Sequence, residues 1–215
     1  MEMYNASYHD QQSRSITVWG EGAVKVTPDT VHIIMMVNSR GNELNEIQQE
    51  NADRMNNVIS SLVAMGIPES SIQTIDYQIH PVYDYVDGVQ IFKGYEVVNT
   101  IRVTISEISR VGEVVDTAVS SGVNQIGSIQ FTIQDQAEYY QKALAQALHD
   151  ADTKMVTIGS SLQLPNRPIP VKIEEQHVAQ PVAFRAVTMA EAGGTPIESG
   201  TITVSASLKV RYQMV

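Results

Sequence analysis

Between Ile72 and Ile105 the chain alternates on both sides of an Asp87-Gly88 pair, and this stretch constrains the fold more than any other. Asp-Gly flanked by alternating residues marks a β-hairpin, because both turn positions must accept positive φ. Ile75, Tyr77 and Ile79 precede the turn, while Tyr95, Val97, Asn99, Ile101, Val103 and Ile105 follow it at period two. The expectation is a long antiparallel ribbon. Pro81 marks an edge position or a bulge, since proline cannot donate to a ladder.

Other segments switch between strand and helix periods. Ile16 and Val18, then Val24 and Val26, alternate around Gly20 and Gly22. Thr27-Pro28-Asp29 reads as a turn into Val31, Ile33, Met35 and Val37, suggesting a first hairpin-like pair. Leu44, Ile47, Met55, Val58, Leu62 and Met65 recur at helical spacing, with Asn51 filling one gap. Asn42 is the expected N-cap, Gly66 suits the position after the helix, and Pro68 blocks continuation. A second helix runs from about Ile108 to Gly122, and a third, Ala-rich one covers roughly Gln136–Leu162. Strands are expected around Ile129–Ile133, Ile169–Ile173 and Ile202–Tyr212.

The element order is ββαββαβαββ, an α+β class with mostly antiparallel sheets and three helices. Residues 1–13 read as a disordered tail and 14–215 as a single domain, divisible into lobes at about 14–106 and 107–215. Val178–Ser199 lacks periodicity and reads as a mobile loop. Helix–Gly66–strand with Ile72-Gln73 echoes helix–Gly122–strand with Ile129-Gln130, a faint hint of duplication.

Composition narrows the functional classes. A net charge of −10 disfavours phosphate backbones and anionic lipid surfaces. The absence of cysteine excludes disulfides, thiolate catalysis and cysteine-bound metals. The polar N-terminus carries no apolar leader, and no apolar run would span a bilayer, so the expected place is the cytoplasm. A trimmed leader would move that expectation to the periplasm or cell surface.

Motifs for chemistry are missing. His9, His32, His80, His149 and His177 form no metal pattern, and only Glu175 with His177, on one strand face, offers a weak divalent-ion option. His32 should point away from the apolar face. Gly20-Glu21-Gly22 lacks the third glycine of a dinucleotide loop, and no phosphate loop or nucleophile elbow occurs. No catalytic, cofactor or metal residue is expected. Most of the nine methionines fit core filling better than oxidant scavenging. Trp19 is expected to anchor the core or pack beside the glycines. Tyr77, Tyr83, Tyr85 and Tyr95 cluster about the hairpin, either as cross-strand packing or as a protein-contact surface. Tyr139-Tyr140 invites the same two readings.

Several ordered stretches carry a resemblance. They are Val18-Trp19-Gly20-Glu21-Gly22 with Thr27-Pro28-Asp29; Gly66-Ile67 with Ile72-Gln73-Thr74; and Pro81-Val82-Tyr83 with Gly94-Tyr95 and Asn99. Gly112 through Ala118, with Gly122 and Ile126–Phe131, and Pro196–Gly200 leading into Ile202-Thr203-Val204 complete the set. Together they resemble the SIMPL (DUF541) family across roughly residues 14–215. That resemblance implies no catalytic residue set. It implies kinship with bacterial envelope proteins linked to stress defence and with an animal signalling adaptor. The leading expectation is a non-catalytic binding or assembly module, a homo-oligomer built through exposed strands. The alternatives are a ligand-binding or hydrolytic pocket between lobes under residues 178–199, and a signalling adaptor.

Overall fold

The computed structural model describes residues 14–176, 182–184 and 195–214. The elements are β1 (Ser15–Val26), β2 (Thr30–Gly41), α1 (Leu44–Ala64), β3 (Ile72–Val86), β4 (Val89–Ile105), α2 (Val111–Ser121), β5 (Gln125–Thr132), α3 (Gln136–Ser161), β6 (Ile169–Gln176), β7 (Val182–Phe184) and β8 (Thr201–Gln213). The α+β class, the three helices and the antiparallel ribbon are as the sequence leads one to expect. The strand β7 is additional. The tail at 1–13 and most of the 178–199 segment lie outside the described residues.

The strands form two sheets, β1-β8-β6 with β7 also on β8, and β3-β4-β2-β5. The expected hairpin of β1 with β2 does not form, because β1 pairs with β8 from the far end of the chain. Thr27-Pro28-Asp29 is instead the passage from one sheet to the other. Two compact units follow. One gathers residues up to Val26 with Asp135–Val182 and Thr203–Val215, and the other Thr27–Gln134 with Ala183–Ile202. The division thus runs at Val26 and Gln134 rather than near residue 106, since long-range pairing groups strands that the sequence separates.

In the second unit β2-α1-β3 and β4-α2-β5 interlock, with the central β2 and β4 antiparallel. This is the split βαβ arrangement of ferredoxin-like folds. Both helices lie on the face bearing Val31, Ile33, Met35 and Val37 of β2 and Ile101, Val103 and Ile105 of β4. Met55, Val58 and Leu62 of α1 and Val114 and Ala118 of α2 fill the layer. Asn51 is wholly buried there, and its Nδ2 donates to Val37 O at 2.9 Å and Val97 O at 3.1 Å. A polar helix residue is therefore spent on strand carbonyls, which ties α1 to a fixed register over β2 and β4.

The faint duplication has a structural counterpart in the helix ends. Gly66 (φ 90°) and Gly122 (φ 134°) take left-handed positions, and Ile67 N and Val123 N donate back to Leu62 O and Ala118 O. β3 and β5, which follow, occupy the two outer positions of the sheet. The helix α1 starts differently from expectation. Glu43 occupies the N-cap without a side-chain bond, and the Asn42 side chain lies beside Gly94 instead.

In the first unit β1 alternates strictly, turning Ile16, Val18, Gly20 and Gly22 toward α3. A Cβ on Gly20 would sit 2.0 Å from Ala147 O, and one on Gly22 2.0 Å from Ala143 O. The Gly-x-Gly pair is a helix–strand seam. Ala143, Ala147 and Ala151 recur every helical turn to meet it, with Met155, Leu208, Val210 and Tyr212 completing the core. Asp135 caps α3, accepting from Glu138 N at 3.0 Å. Trp19 does not anchor this core. The same alternation that sends Gly20 inward leaves Trp19 outside at 52% exposure, with Lys209 Nζ 5.4 Å from its ring centroid.

Candidate interaction surface

β3 pairs with β4 from Ile72↔Val103 to Val86↔Val89, whereas β2 accompanies β4 only as far as Gly41↔Tyr95. Beyond Tyr95, among the described residues, the ribbon continues as a two-stranded arm, Val82–Val86 against Val89–Gly94. Asp87 (φ 51°) and Gly88 (φ 80°) close it with the type I′ geometry their residue types favour. Pro81 lies on the edge strand next to a register shift at Val82/Tyr83.

The register decides which side chains share a face. Tyr77 stands opposite Asn99, Ile79 opposite Val97 and Pro81 opposite Tyr95, on the side that α1 covers over β2 and β4. Gly94 (φ 113°) and the neighbouring register shift bring Phe92 onto that same side. Its ring meets Tyr95 edge-on at 5.2 Å and Tyr83 at 5.7 Å. Tyr77, Tyr83, Tyr85 and Tyr95 therefore line one face of the ribbon. Cross-strand packing and exposure coexist there. Tyr95 is half-buried, while Tyr77, Tyr83, Ile79 and Phe92 are exposed and Tyr85 reaches 70%. Phe92 belongs to the same face, although the sequence singled out only tyrosines, while Ile91, opposite Asp84, and the pair Val86 and Val89 are exposed on the other face of the arm. The signal was present in Val89-Gln90-Ile91-Phe92, but the bulge at Gly94 breaks the phase that would have linked it to Tyr95.

The opposite face is polar. Glu96 accepts from Asn38 Nδ2 at 2.7 Å and from Arg40 Nε at 2.8 Å, with Arg40 Nη2 at 2.7 Å. Those bonds hold its carboxyl below the usual range, Asn38 contributing most and Arg40 next. His80 stands opposite Glu96 and meets Gln78 Oε1 at 2.7 Å, and Gln78 donates on to Asp76 Oδ2 at 2.7 Å. Alongside β2 the ribbon is amphipathic, aromatic on one side and ionic on the other, whereas along the arm the second side carries Asp84 with the exposed Val86, Val89 and Ile91.

Elsewhere the singled-out residues are engaged structurally or dispersed. His32 is half-buried, Nδ1 3.0 Å from Thr104 Oγ1, on the face away from the helices as expected. His9 and His177 lie outside the described residues, and Glu175 accepts from the Tyr140 hydroxyl. That bond raises the Tyr140 pKa. Tyr139 lies under Lys142, whose Nζ is 4.9 Å from the ring centroid. Among the described residues no three His, Asp or Glu side chains converge as a metal cluster. Met35, Met55 and Met155 are buried in cores, and Met65 packs against one. No helix among the described residues is long and apolar enough to cross a membrane.

A family model described as SIMPL, protein of unknown function (DUF541), matches residues 16–212. The chain belongs to the SIMPL family. Among relatives, the uncharacterized protein YggE of Escherichia coli (strain K12) is 25% identical over 184 residues, covering 86% of this chain and 74% of that protein. The 26 kDa periplasmic immunogenic protein of Brucella melitensis biotype 1 is 25% identical over 222 residues, covering 94% of this chain and 86% of the relative. The SIMPL match spans both sheets, so the seam of Gly20 and Gly22 and the ribbon fall inside it.

Proposed function

We propose that this SIMPL protein is a non-catalytic binding and assembly module that self-associates through the β3–β4 ribbon. One observation carries the reading. Among the described residues the arm beyond Tyr95 has no third strand and no helix of its own unit on it, yet it bears Tyr83, Tyr85 and Phe92 exposed to water on one face and Ile91 on the other. An isolated two-stranded hairpin is marginal in water, and contiguous exposed apolar surface marks an interaction site. A second layer on the aromatic face would stabilise both the arm and the complex. The name of the Brucella relative supports a periplasmic setting for such assembly.

Light scattering after gel filtration, over a wide concentration range, tests the reading. A discrete oligomer is expected, shrinking when Tyr83→Ser and Phe92→Ser are combined. A wild-type chain that stays monomeric at the highest concentration overturns it.

A further inference from the structure

The arm has a free edge as well as a free face, and the edge has its own geometry. A two-residue turn makes Val86↔Val89 the closing hydrogen-bonded pair, and antiparallel pairs then alternate. Asp84↔Ile91 is the next bonded pair, so Gln90 and Phe92 direct their backbone N–H and C=O away from β3. On that side β2 has already ended, since its last partner on β4 is Tyr95. From Val89 to Phe92 the open edge carries neither proline nor charge, two of the devices that block strand addition, and the bulge at Lys93 bounds it. The β3 edge, by contrast, is interrupted by Pro81 and by the bulge at Ile75.

Resting on the assembly reading, we infer that two copies join by antiparallel pairing of this β4 edge with itself. Gln90 of one copy lies opposite Phe92 of the other, and the two Ile91 residues meet on the two-fold axis. This register matches outward-directed backbone groups with outward-directed ones on both sides of the axis, giving reciprocal N–H to C=O bonds. It sets Lys93 opposite the second copy's Val89, within a long side chain's reach of that copy's Asp87, so the only cation of the arm meets the turn carboxylate. The aromatic faces become continuous through Phe92, Gln90 and Tyr85. The contact is isologous and closes on itself, which favours a second copy over a foreign strand.

The natural absence of cysteine makes the test direct. Facing residues of a non-hydrogen-bonded pair have Cα atoms about 4.5 Å apart, within disulfide range. Ile91→Cys is expected to give mostly covalent dimer on mild oxidation. Val86→Cys, on the neighbouring strand and at 47% exposure more accessible than Ile91 at 40%, is expected to stay mostly monomeric. Gln90→Pro removes only an outward N–H, so it should keep the hairpin and reduce the native mass, while Gln90→Thr should leave the mass unchanged. An oligomeric wild type whose Ile91→Cys form cross-links no better than Val86→Cys, or whose mass survives Gln90→Pro, overturns the pairing and leaves assembly standing. A monomeric wild type overturns assembly, and the pairing with it.

Discussion

The α3–β1 seam and the β3–β4 arm invert the usual relation between residue size and burial. The seam buries Gly20, Gly22, Ala143, Ala147 and Ala151, nearly the smallest side chains available, whereas the arm leaves Tyr83, Tyr85 and Phe92 in water. Small residues belong in the seam because they let two backbones approach until Cβ atoms would collide, which no larger residue permits. Large aromatics on the arm contribute little to the folded monomer because they stay exposed, and the ring contacts among the described residues are with neighbours on the same ribbon. On the proposed reading stability and interaction reside in different places, and substitutions should separate them.

The largest effect is expected at the seam. Gly20→Val must push against Ala147 O, and a loss of more than about 3 kcal/mol, or failure to fold, is expected in urea denaturation. Next comes Leu62→Ala under the second sheet, fully buried in a packed layer, at about 2–5 kcal/mol. A seam variant as stable as wild type would remove the contrast.

A smaller, pH-dependent effect is expected at Glu96. Its carboxyl is held below its ordinary value, so its contribution to stability is present above the unfolded value and fades as pH falls through the folded one. Glu96→Gln should cost about 1 kcal/mol near neutral pH, and the gap from wild type should narrow on acidification below about pH 4.3. A gap independent of pH would assign the effect to packing.

The smallest effect on stability is expected on the arm. Tyr85→Ser should change the unfolding free energy of the monomer by less than about 0.5 kcal/mol. Its measurable consequence should be a lower native mass. A large loss of monomer stability there would mean that the arm is structural, and the comparison would collapse.

Period alone made the ribbon, the three helices and the Gly66 and Gly122 stops legible, since each depends on residues within a few positions of one another. The Tyr set was legible as a cluster, because a hairpin turn folds nearby residues onto one face. The purpose of Gly20 and Gly22 was not, because their partners Ala143 and Ala147 lie across a long stretch of chain. Trp19 was misplaced for a related reason. Strand phase tells which residues share a side but not which side meets a helix.

The sequence by itself determined the elements, the α+β class and the hairpin, because hydrophobic period, turn chemistry and left-handed glycines act locally. Only the tertiary structure decided that β1 leaves β2 for β8, that α3 lies on the glycine face of β1, and that β4 outruns β2. Those outcomes depend on which surfaces meet across long loops. The open edge and aromatic face of the arm exist because β2 stops at Gly41, opposite Tyr95.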